Sequence, residues 1–349
     1  VSNAKNIASV AVGGIEFAQG DGILLAASCT RTRDKKGGSL SLTLADPRGV
    51  LANSLPLPAS NAPVQVVAVW GPLGRQRRIF TGTLTTFRWN MGSKRVELVA
   101  VDKCRAAKVV ERARVRSASD LQDLAREVAD SIGATLDAPS ALIRRLGAYG
   151  TVVQHGESDW ELLARLCGAV GVDVWLEESG ELLGSSPLET PPTLYLRPAG
   201  ELGKDTKAVV LRAGDNLVSW EVEVEKKTRR TTSNIVNLKG VPVLEGGDAE
   251  AQARAVHLAN TGVVLGASED APSFTEADIQ GALLAGARQR KVFTAKATIS
   301  PAEPGLGPAR AVFAEGVGAR YNGAWVIQSI TDELLMDRQQ LDLYNDGAP

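Results

Sequence analysis

Between Gln154 and Gly184 the sequence changes from an alternating to a helical period and back, and each change carries its own end signal. Ser158 stands where a helix begins and Glu161 follows three residues later, the spacing at which two side chains cap each other's backbone amides. Trp160, Leu163, Ala164, Cys167 and Val170 recur at helical spacing as one apolar stripe. Gly171 ends it, since a residue without Cβ tolerates the left-handed conformation of a helix C-terminus. Val172, Val174 and Leu176 then alternate with Asp173, Trp175 and Glu177 as a strand, Ser179-Gly180 turns, and Glu181-Leu182-Leu183 starts a return strand. A helix feeding a small hairpin therefore lies at the centre of a chain whose flanks read as β.

Residues 1–106 carry short alternating runs separated by turn residues. Leu40, Leu42 and Leu44 face one way, Val64 to Trp70 forms a second run, and Thr81 to Phe87 is rich in β-branched residues. Val96, Leu98 and Ala100 alternate likewise, and Pro47, Pro56 and Pro58 make Asp46–Ala59 an excursion. A barrel or a sandwich fits this pattern. Residues 107–186 add a second helix, begun by Ser119 and Gln122, with Leu121, Leu124, Ala125, Val128 and Ile132 on its apolar face and Gly133 at its end. From 187 to 349 the β pattern returns after a linker marked by Pro187, Pro191 and Pro192, with a helical insertion around 248–290. Val218, Trp220, Val222 and Val224 alternate with Ser219, Glu221, Glu223 and Glu225 there, and Ile235 to Gly240 continues the pattern. Strands are expected again at 292–299, at 309–313, and on both sides of a tight Asn322-Gly323 turn.

The two β regions echo one another. Phe80-x-Gly82-x-Leu84 followed by Val96-Glu97-Leu98 resembles Tyr321-x-Gly323-x-Trp325 followed by Leu341-Asp342-Leu343. The fold class that follows is mainly β with an α+β insertion, the β part built on a duplicated unit.

Composition excludes several functions. A net charge of −1 provides no general field for a nucleic-acid backbone. No apolar run reaches the roughly 18 residues of a membrane span. Cys29, Cys104 and Cys167 have no metal-ligand spacing and read as buried apolar residues. His155, Glu157 and Asp159 would share one face of an extended segment, but helix capping accounts for the acids around Ser158 without an ion. Gly305-x-Gly307 and Gly316-x-Gly318 lack the context of a dinucleotide site, and no nucleophile elbow or zinc motif occurs. No catalytic residue, metal or cofactor is expected. The acidic face Glu221, Glu223 and Glu225 is followed by a basic run, Lys226, Lys227, Arg229 and Arg230, which reads as a solvated loop at a strand end or as a contact site for an acidic neighbouring subunit.

The Gln154–Gly184 unit, the strand Ser219–Glu225 with Ile235–Gly240, and the closing segment Ala314–Ile327 together resemble the phage late control protein D family, the central hub of contractile-tail baseplates. The resemblance implies two similar tube-type β-barrels, 1–106 and 187–349, linked by a small α/β domain, 107–186. It further implies a homotrimer forming a pseudo-sixfold ring between a hexameric tail tube protein and a separate trimeric spike protein, among other baseplate proteins. Such a hub is made in the host bacterial cytoplasm and resides in the virion tail baseplate, where DNA passes through the lumen without being specifically held. The function implied is structural, with no enzyme activity. Glu221, Glu223 and Glu225 would line the channel or meet the Lys226–Arg230 run of a neighbouring copy. A competing reading is a glycan-binding or peptidoglycan-degrading tail module, which needs exposed aromatics; Trp175, opposite the apolar face of its strand, is the candidate.

Overall fold

The structure, a computed structural model, describes residues 6–33, 37–58, 63–73, 76–106, 112–116, 121–138, 152–169, 172–178, 191–198, 209–223 and 293–345. The chain is mostly β, dominated by a large curled, almost wholly antiparallel sheet with a small α/β unit beside it. The N-terminal strands are β1 (Asn6–Val12), β2 (Ile15–Ala18), β3 (Leu24–Thr32), β4 (Ser39–Ala45), β5 (Gln65–Pro72), β6 (Arg77–Asn90) and β7 (Arg95–Asp102). They lie in the order β2-β1-β5-β6-β7-β4-β3. The Pro-rich excursion carries only a short helix, α1 (Val50–Ser54), whose Leu51 and Ala52 amides bond to the Asp46 carboxylate.

The α/β unit comprises α2 (Lys103–Ala106), β8 (Arg112–Arg116), α3 (Leu121–Ser131), β9 (Thr135–Asp137), β10 (Val152–Glu157), α4 (Asp159–Ala169), β11 (Val172–Glu177) and β12 (Thr193–Pro198). The capping box is formed as the spacing predicts. The Ser158 amide donates to Glu161 Oε2 at 3.0 Å and the Glu161 amide to Ser158 Oγ at 3.2 Å. α4 buries more than one stripe, because Leu162 and Leu166 are enclosed along with Trp160, Leu163, Ala164 and Cys167. Each such large side chain contributes about 1.5–3 kcal/mol, so packing on two sides, with α3 and β11 among its neighbours, holds this short helix. α3 buries Leu124, Ala125 and Val128, with Ile132 buried just past its end, and Gly133, with φ +61°, turns the chain away.

β11 pairs with β12, which the sequence pattern groups with the second β region after its prolines. Leu194 and Leu196 of β12 belong to the core of the α/β unit, and that shared apolar face is what draws the segment back.

The C-terminal strands are β13 (Val209–Arg212), β14 (Leu217–Glu223), β15 (Phe293–Ile299), β16 (Ala311–Glu315), β17 (Gly323–Glu333) and β18 (Arg338–Asn345). Their order, β13-β16-β17-β18-β15-β14, repeats β1-β5-β6-β7-β4-β3 strand for strand. Register repeats as well. β6 is bulged between Leu84 and Thr86 and meets β7 at Asn90↔Arg95; β17 is bulged between Ile327 and Ser329 and meets β18 at Glu333↔Arg338. Lys94 and Asp337, the last residues of the two turns, both take positive φ. β3 skips Leu25 against β4 as β14 skips Val218 against β15. Outside the strands, Leu84 N donates to Val64 O and Ile327 N to Arg310 O at matching positions.

This register differs from the sequence echo: Phe80 corresponds to Gly323, not Tyr321, and Leu98 to Leu341, not Leu343. A slip by two keeps every side chain on its face, so alternation cannot detect it; bulge and turn decide. The tight Asn322-Gly323 turn is not formed either. β16 and β17 meet at Ala314↔Gly323 across a longer loop, whose Tyr321 and Asn322 amides both donate to the Gly318 carbonyl.

Separate apolar cores fill the two halves of the sheet and the α/β unit. Expectations at Ser119, Val170–Gly171, Ser179–Leu183, Ile235–Gly240 and 248–290 lie outside the described residues.

Candidate assembly interface

The two halves join edge to edge, through β3 and the second part of β17, into one sheet. At this seam Thr331 lies opposite Thr30, with their Oγ1 atoms 3.2 Å apart. Beside them Arg31 grips Asp332 with two hydrogen bonds, Nε to Oδ2 at 2.8 Å and Nη2 to Oδ1 at 3.0 Å. The Asp332 carboxylate is fully enclosed and accepts a further bond from Gln339 Nε2 at 2.7 Å. Its charge thus has three donors, which a buried carboxylate requires. Cys29, in the same pocket, has its thiol pushed well up, first by burial and then by the Asp332 charge.

The hairpin tip beyond the seam extends the joint. Leu334 N donates to Ala27 O at 3.0 Å, and the Leu334 side chain is buried in the core of the first half. Asn6 holds the same corner by donating to the Ala302 carbonyl and to Asp337.

The α/β unit docks on both halves through acids of β11 and the residue after it. Arg33 reaches Asp173 at 3.1 Å while lying over the Tyr344 ring, 4.7 Å from its centroid. Arg310 pairs with Glu177 at 3.0 Å, and Arg78 with Glu178 at 2.8 Å. Burial raises the pKa of Glu178, and the Arg78 charge opposes that rise.

Among the candidate residues, Glu221 and Glu223 are exposed on β14 with Lys296 opposite Glu221, while Glu225, Lys226, Lys227, Arg229 and Arg230 lie outside the described residues. The acids near Ser158 serve the fold: Glu157 pairs with Arg165 at 2.6 Å, and Asp159 accepts from Gln154 at 3.0 Å. Trp175 corrects the expectation of an exposed aromatic. It is buried and stacked on Tyr195 at 5.2 Å, because β12 brings that ring alongside. Arg31 and Asp332 escaped the sequence reading. They lie 301 positions apart, and neither stands in a motif.

No family model and no curated protein matches the chain. Solved structures do match its fold. A tail protein from Neisseria meningitidis aligns at 15% identity and a TM-score of 0.61, over 98% of this chain and 97% of that one. A 43 kDa tail protein of prophage MuSo2 from Shewanella oneidensis aligns at 16% identity and 0.60, over 98% of both. An Escherichia coli component of the type VI secretion system, described as structurally similar to tail proteins of T4 bacteriophage, aligns at 9% and 0.56, over 96% of this chain and 76% of that one.

Proposed function

We propose that this chain is a structural hub of a phage tail or related contractile injection machine, a homotrimeric ring adapting a hexameric tube to a trimeric spike. The observation that carries the reading is the repeated strand order within one sheet, joined edge to edge at a seam. The resemblance to late control protein D and the nearly full-length likeness to tail proteins support the same role. A ring around a lumen is built from head-to-tail contacts that close. Two equivalent halves per chain let three copies present six similar faces to a tube while keeping threefold symmetry toward a spike. The work is geometric, and its partners are other copies of the chain, a tail tube protein, a separate spike and neighbouring baseplate proteins. The place of action is the tail baseplate.

Light scattering and negative-stain images of the purified chain test this reading. Closed three-copy rings with six lobes are expected. A chain that stays monomeric at high concentration and is missing from purified tails is not a hub.

A further inference from the structure

We propose that the free edge of β14 and the uncovered second part of β6 form one more β-seam between successive copies of this chain, with Glu223 opposite Arg88 and Met91 docked as Leu334 is docked within the chain. The proposal rests on the ring reading above and names the surface that closes it.

The strand equivalences lead to it. β3 corresponds to β14 and β17 to β6, so the intrachain seam β3·β17 has a counterpart, β14·β6, whose two sides do not meet within one chain. Among the described residues, β14 is an end strand, touched on its outer side only by the bridge Ala213↔Leu217. β5 covers β6 through Thr83, and beyond Leu84 no described strand flanks it on that side. Among the described residues, then, both edges offer unpaired backbone donors and acceptors, which folded proteins ordinarily cover or protect.

Carrying the known register across gives the pairs. Glu333↔Ser28 becomes Asn90↔Glu221, Asp332↔Cys29 becomes Trp89↔Val222, and Thr331↔Thr30 becomes Arg88↔Glu223. The bond from Leu334 N to Ala27 O becomes one from Met91 N to Trp220 O.

The residues at these positions are complementary. Arg88, Glu221 and Glu223 are exposed, and the register sets the cation of one edge opposite an anion of the other. Like charges on both edges would have served protection alone; opposite charges directly across a ladder favour pairing. On the other face Trp89 meets Val222, which packs against the core of the second half. The hairpin tips differ most. Leu334 is completely buried, whereas Met91 at the same turn position is 75% exposed, with Trp89 beside it 46% exposed. An apolar knob that one half inserts into its neighbour is held out by the other half, and the end of the second core next to β14 is the matching socket.

The full chain carrying Arg88→Cys and Glu223→Cys, oxidised under mild conditions, tests the seam. Residues directly opposite across a ladder lie about 4.5–5.5 Å apart at Cα, within disulfide reach. The native thiols are all buried and stay out of the reaction. Covalent three-copy products are expected from the double variant and none from either single variant. Charge exchange provides the second arm. Arg88→Glu should raise the concentration needed for ring assembly roughly tenfold or more, Met91→Asp should do likewise, and Arg88→Glu with Glu223→Arg should restore assembly. Rings that form but neither cross-link nor respond to these changes overturn the seam and leave the hub reading standing. A chain that is monomeric throughout and missing from purified tails overturns both.

Discussion

The two halves of the sheet keep their hydrogen-bond plan and exchange almost everything else. Trp325 and Trp220 meet edge to face in the second core, centroids 5.1 Å apart. The equivalent positions in the first half hold Gly82 and Ala27, and there the Phe80 ring fills the space that a Cβ on Gly82 would enter. β1 runs antiparallel to β5, whereas β13 runs parallel to β16. The edge β3 is covered by β17, whereas its counterpart β14 is bare among the described residues. Strand order, bulge and turn thus define the repeat, and side-chain volume adapts to them. The differences collect where one half meets the other.

Asp332→Ala should have the largest effect on how the two halves hold together. It leaves the Arg31 guanidinium enclosed at the seam without its carboxylate, a loss of about 3–5 kcal/mol. Chemical denaturation should show this as a large fall in midpoint, and the first and second halves should then lose protection from hydrogen exchange at different denaturant concentrations. Gly82→Ala tests how tightly the first core is filled. The new Cβ would lie 2.1 Å from the Val101 carbonyl oxygen and under 3 Å from the Phe80 ring, so about 1–3 kcal/mol of overpacking is expected in the thermal midpoint. A cost near zero there would mean that the two cores are more alike than their residues indicate.

Ser158→Ala lies outside both halves and serves as a reference. Loss of the cap should cost about 1 kcal/mol, read by denaturation, with Ser158→Thr, which keeps the hydroxyl, retaining most of the stability. The smallest effect concerns pH. Glu178 binds its proton more tightly folded than unfolded, since burial outweighs Arg78. Its contribution therefore makes stability fall as pH rises from the ordinary value of 4.5 through the raised one. Glu178→Gln should flatten that slope in urea midpoints measured across the window; an unchanged slope assigns it to other groups.

Local chemistry was enough for the parts whose partners sit a few residues away. Ser158 and Glu161, the face of α3, the break at Gly133 and the alternation of β7 all follow from short-range spacing, because capping and amphipathic periodicity act within a turn or two. The echo between the halves was visible too, though two residues out of register at each end, since period-2 sequence looks the same after such a slip.

Legible in the chain alone are the capped helix, the face of α3, the alternating runs of the first half and the existence of a repeat. The tertiary structure decided which edges meet. The pairing of Arg31 with Asp332, the burial of Trp175 beneath Tyr195 and the recruitment of β12 to β11 each join residues with no local signal between them. The physical reason is that an edge strand's backbone bonds with any suitable neighbour. Only the shape of the packed cores selects the neighbour, and with it the contrast between a buried Leu334 and an exposed Met91.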